Sequence, residues 1–206
     1  MMHYRSISAL VAASMLTAWA TISPATADVP ARLVRGTVTS AQGHWLAVRT
    51  GPSRVDPVLL ANNAKVLTVA PADLRAIKTG KLVGITTVEH KGKRVATEVH
   101  VFDESLRGRG EADRPGELAS GPHGMTYAHI ARIKAVGHNH VLTLAHKDGK
   151  RTVIVPPNAK IVTITPGTLD AVRPGAEVFV TAHGVPEGRL VGASIAVGQN
   201  GLKLPM

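Results

Sequence analysis

The chain has no cysteine, which excludes disulfides, thiolate metal sites, cysteine nucleophiles and lipidation through a cysteine. Its stability must therefore come from packed apolar cores. Aromatic residues are only 3% of the 206, and four lie beyond residue 27: Trp45, Phe102, Tyr127 and Phe179. A single-stranded nucleic-acid track needs a run of stacking platforms, so nucleic acid is not an expected partner. The motifs G-x-S-x-G and H-E-x-x-H and a phosphate-cradling glycine loop are all missing. Asp103, Glu104, Glu111, Asp113 and Glu117 lie in one loop-like stretch, not in a concave site that would shift their pKa values. The reading is a non-enzymatic protein with no cofactor.

Long apolar runs are scarce too. One exists, ISALVAASMLTAWATI from Ile7 to Ile22. Arg5 precedes it, Pro24 ends it, and Ala25, Thr26 and Ala27 are the small residues a signal peptidase reads. Ser8, Ser14, Thr17 and Thr21 dilute the run below what a membrane-spanning helix of about 20 apolar residues needs. A secretory signal over residues 1–27, cleaved after Ala27, is expected, with a periplasmic or secreted mature chain. Without Arg5, 23 Lys and Arg face 14 Asp and Glu, a formal charge of +9. Such an excess favours anionic envelope components, lipid headgroups or acidic glycans, or an acidic protein partner.

What is present is a repetition. NAKVLTV, starting at Asn63, returns as NAKIVTI, starting at Asn158, ninety-five residues later. Ten of the 24 positions from Asn63 to Thr86 are identical in the second copy. With small loop differences allowed, Val38 falls near Ile133, Leu46 on Leu142, Val58 on Val153, Val95 on Val191 and Val99 on Ile195.

Each copy reads as short strands between turns. In RLVRGTVTS, alternation sends Val34, Gly36 and Val38 inward; HWLAVRT, PVLLA and KVLTVA follow as separate strands. PADLRAIKTG changes period, with Pro71 at its opening, Leu74 and Ile77 on one face and Gly80 as a stop. LVGITTVEH and RVATEVHVF then close the copy. One short helix before the last two strands is the order of an OB-type Greek-key barrel. The expected fold is all-β: two tandem OB-like Greek-key barrels over 28–102 and 126–206, each with one short helix before its last two strands. One merged β-sandwich is the alternative. Residues 103–125 hold five glycines, two prolines and eight charges with almost nothing to bury, and read as a linker or surface loop.

The recurring V-x-G-x-V, L-x-x-I/V-x-x-G and G-R-x-V-A-x-x-I/V patterns resemble a family of exported bacterial OB-like β-domains of unknown function. The resemblance covers both copies and implies fold more than activity. The middle segment is similar to a proteobacterial pattern, R-G-x-G-E-G-H-R-P-W-D followed by M-T-N-A-T. Arg107, Gly108, Gly110, Glu111, Arg114, Pro115, Met125, Thr126 and Ala128 match it, while Ala112, Asp113 and Gly116 depart from it. Some such relatives carry a metal-transporter permease label, which a chain without spans after its signal does not fit.

Two sets of residues are candidates for chemistry. Lys91, Lys93 and Arg94 in the EHKGKR hairpin, with Arg49 and Trp45, could rim a barrel and hold phosphate or carboxylate groups. His138 and His140 in GHNH, with His44 aligned on His140, are candidate ligands for zinc, copper or nickel. A dedicated zinc site requires three or four ligands, and spacing identifies no further one. Solvated hairpin charges and polar turn histidines explain both sets equally well. The expected role is binding of an anionic envelope ligand or a protein partner, with periplasmic metal binding as the alternative.

Overall fold

The computed structural model describes residues 31–107, 113–115, 124–146, 149–185 and 189–204. The expected signal segment and most of the expected linker lie outside them. Among the described residues the chain is all-β. In the first copy are β1 (Ala31–Gln42), β2 (Trp45–Arg49), β3 (Val55–Ala72), β4 (Leu82–His90) and β5 (Lys93–Phe102). The short β6 (Asp113–Pro115) precedes β7 (Gly124–Val136), β8 (Asn139–His146), β9 (Gly149–Val155), β10 (Lys160–Pro166), β11 (Glu177–Gly184) and β12 (Leu190–Gly198). No helix among the described residues is long and apolar enough to cross a membrane.

The expected short helices are single 3-10 turns, Leu74–Ala76 and Leu169–Ala171. Sheet pairing takes the residues a helix would need. Pro71 and Ala72 remain in β3, opposite Val162 and Ile161. Gly80 and Gly175, at φ +85° and +88°, then turn the chain into the next strand. The expected break between PVLLA and KVLTVA is also absent, because β3 runs unbroken for 18 residues. Only the second copy breaks there, at Pro156 and Pro157 between β9 and β10.

Strand pairing closes two rings. The first is β1–β2–β3–β12–β11 and back to β1, antiparallel except where β3 meets β12. The second is β7–β8–β9–β5–β4 and back to β7, with β5 parallel to β9. The expectation of one self-contained barrel per copy is therefore corrected. Each ring takes three strands from one copy and its last hairpin from the other. The chain reversals before those hairpins direct the exchange. The Gly80 N–H donates to the Ile130 carbonyl at 2.8 Å, and the Gly175 N–H donates to the Val38 carbonyl at 2.8 Å. These matched bonds also make Ile130, not Ile133, the counterpart of Val38. The β7–β8 hairpin is longer than β1–β2, which shifts the alignment at its tip.

The hydrophobic pattern fills the rings as alternation requires. Val34, Val38, Leu46, Val48, Val58 and Leu60 from the first copy pack with Val178, Val180, Ile195 and Val197 from the second. Val83, Ile85, Val99 and Val101 pack with Ile130, Leu142, Leu144, Val153 and Val155. Between the rings β3 pairs antiparallel with β10, and Val69 stands opposite Ile164, its own counterpart in the repeat. A pseudo-twofold axis thus passes through that pair. A third cluster surrounds it, Val69, Val162 and Ile164 with Leu106 and Leu204. Leu106 belongs to the stretch expected to bury almost nothing, yet it is packed in this cluster.

Candidate functional site

The β4–β5 hairpin turns through Lys91 and Gly92, at φ 51° and 70°. Two consecutive positive φ values are the signature of the type I′ turn, whose twist matches the flanking strands. His90 faces Lys93 across it, and Glu89 faces Arg94. Lys91, Lys93 and Arg94 are all exposed. Because of the exchange, this first-copy hairpin stands beside strands of the second copy. Between them is a groove of ≈ 590 Å³, a size common for small-ligand clefts. Gly92, Lys93 and Arg94 line one side, and Arg151, Thr152 and Ile154 of β9 the other; Val136 and Val141 complete it. No carboxylate is among the described residues that line it.

The groove exists because the second ring closes incompletely. β5 meets β9 at one residue pair, Val95 with Ile154, before passing on to β10. In the first ring, Leu190, Val191 and Gly192 pair in register with Val58, Leu59 and Leu60. Leu190 there is 7% exposed and belongs to the core. The repeat register puts Arg94 at the position of Leu190. A guanidinium does not enter an apolar core without a partner, so Arg94 stays outside and the seam stays open.

Charge divides the two rings in the same way. The counterpart of Arg151 is Asp56, whose carboxylate accepts from Arg54 Nε and Nη2 at 3.0 Å and from Thr50 Oγ1 at 2.8 Å. The bond from Arg54 holds the Asp56 carboxyl below the usual aspartate range, against the opposing effect of desolvation, and Thr50 adds to it. The first ring thus has an aspartate where the second has an arginine.

The expected anion-binding residues are divided between the rings. Lys93 and Arg94 line the groove, and Lys91 adjoins it at the turn. Arg49 and Trp45 lie at opposite ends of β2, on the first ring. Trp45, 48% exposed, pairs with Leu59 and occupies the first-ring position that Val141 holds in the second. Sequence reasoning missed Arg151, Thr152, Ile154, Val136 and Val141. The alternation of β9 marks Thr152 and Ile154 as outward, but nothing local places β9 next to the β4–β5 hairpin.

Of the candidate histidines, His44 belongs to the first ring and His138 and His140 to the β7–β8 hairpin of the second. His44 follows Gly43 in the β1–β2 turn, and its Nδ1 lies 3.1 Å from the Leu60 carbonyl oxygen. His138 is exposed in the β7–β8 turn, while His140 is half-buried in β8 and its Nδ1 has no hydrogen-bond partner. Among the described residues no three His, Asp or Glu side chains are placed to hold a metal ion. No protein-family model, curated protein or solved structure matches this chain.

Proposed function

We propose that this is a non-enzymatic binding protein of the bacterial cell envelope, built from OB-like rings, that captures an anionic ligand in the groove beside the β4–β5 hairpin. One observation carries the reading. Lys93 and Arg94 from one repeat and Arg151 from the other line a single groove with no carboxylate among its described lining residues. Guanidinium and ammonium groups lining it supply charge-assisted hydrogen bonds to phosphate or carboxylate oxygens. The signal-like segment over residues 1–27 and the net basic charge support a site of action outside the cytoplasm, where anionic lipids and glycans are the abundant polyanions.

Calorimetric titration of the mature protein with tripolyphosphate tests the reading. The expected result is 1:1 binding that weakens about tenfold between 50 and 300 mM salt, as screening of several charge contacts requires. Arg151→Gln should weaken it by about tenfold or more, the usual cost of losing one charged hydrogen-bonding partner. Binding insensitive to both salt and the substitution would show that the groove is not an anion site.

A further inference from the structure

We infer that the ligand of this groove is an amphiphilic anion, with one phosphate or carboxylate head joined to an apolar body. This rests on the anionic reading above and narrows it to a class. The cations are only part of the lining, which also contains Val136, Val141 and Ile154. Val136 is 49% exposed, one of three large hydrophobic residues largely open to water among the described residues. It stands on the part of the β7–β8 hairpin that extends beyond its β1–β2 counterpart. In the first ring β1 runs from Ser40 to Gln42 between its bulge and the turn; in the second, β7 runs from Arg132 to Val136. The extra arm therefore supplies an apolar residue to the groove that the first ring has no means of supplying.

Neither simpler ligand uses the whole lining. A fully hydrated polyanion would engage the cationic side of the groove and leave the aliphatic surface wet. An uncharged lipid would cover the valines and the isoleucine and offer no counter-charge to the exposed Lys93 and Arg94 that it desolvates, which is unfavourable. An amphiphile places its head on the cations and removes its apolar body from water against Val136, Val141 and Ile154. The occupant is a single lipid-like molecule rather than a bilayer surface, since the cations and the apolar residues share one groove of ≈ 590 Å³.

The test titrates the full mature protein with four probes: dodecyl phosphate below its micelle concentration, tripolyphosphate, dodecyl maltoside, and phosphatidylglycerol vesicles. Dodecyl phosphate should bind 1:1, at least tenfold more tightly than tripolyphosphate or dodecyl maltoside. Val136→Ser, at a largely exposed position the fold does not depend on, should weaken dodecyl phosphate about threefold or more and leave tripolyphosphate unchanged. Arg151→Gln should weaken both. Equal affinity for the two phosphates, with Val136→Ser silent, would overturn the amphiphile inference and leave the anionic reading standing. Binding to vesicles but not to monomeric dodecyl phosphate would overturn it in favour of a membrane surface. No binding to any anionic probe would sink both readings.

Discussion

At Gly36 a Cβ would stand 1.9 Å from the Arg49 carbonyl oxygen and 2.7 Å from its carbon. Both atoms are backbone, so no rotamer change makes room. The equivalent position in the second ring, opposite Val83 as Gly36 is opposite Val178, is the buried Ala128. The demand for glycine thus comes from the place where β2 ends against β1, not from the ring position itself. Gly36→Ala should lower stability by about 1–3 kcal/mol or more, the range for forcing extra atoms into a packed site. A urea-unfolding midpoint unchanged from the parent would show that the two strands separate at no cost. The sequence marks Gly36 as an inward position between Val34 and Val38, because alternation is local. It does not reveal the carbonyl thirteen residues away that makes glycine necessary. Trp45 is a similar case. Its aromaticity drew attention to a ring position that lines the groove only in the other ring, where the residue is Val141.

The two closing hairpins differ at one element-defining position. β12 starts with Leu190, buried in the first ring, and β5 reaches the same point with Arg94, exposed at the second. Exchanging these residues should exchange the properties of the seams. Arg94→Leu should let β5 pair further along β9, raise stability by about 1–2 kcal/mol from the leucine surface removed from water, and abolish tripolyphosphate binding. Leu190→Arg should cost about 3 kcal/mol or more by placing an unpaired charge in a core. Thermal unfolding of both variants, with the anion titration of the first, checks the pair. Loss of stability in Arg94→Leu would mean that the open seam is set by β9 and not by the hairpin. Most of these strands can be read from hydrophobic alternation, since a period of two is a property of each segment alone. The 3-10 turns and the unbroken β3 could not be read that way, because pairing with β10 decides where β3 ends. The same limit hid half of the groove: Lys93 and Arg94 are visible as a hairpin charge run, whereas Arg151 becomes their neighbour only through tertiary pairing.

The duplication is plain in the sequence, but the exchange between its copies is not, because both last hairpins carry the same apolar pattern and suit either ring. The discriminating features are long-range. β3 passes without a break through Ala61 and Asn62 and carries the chain from the first ring to the second, where Gly80 bonds to Ile130. The first copy alone then holds Val34, Val38, Leu46, Val48, Val58 and Leu60 without the Val178, Val180, Ile195 and Val197 that cover them. Burying each such side chain stabilises by roughly 1.5–3 kcal/mol, and whole-domain stabilities are only about 5–15 kcal/mol. Neither half has the core to be a folded monomer in this arrangement. Expressed separately, residues 28–107 and 113–206 should each lack a monomeric species that unfolds cooperatively. Mixed, they should form a 1:1 complex with a single sharp transition, read by light scattering and circular dichroism. A homodimer of one half would be the same exchange made between chains, as the pseudo-twofold axis at Val69 and Ile164 permits. A monomeric half with its own cooperative transition would mean that each copy closes its own ring, and the groove, whose walls come from different copies, would have to be abandoned with the exchange.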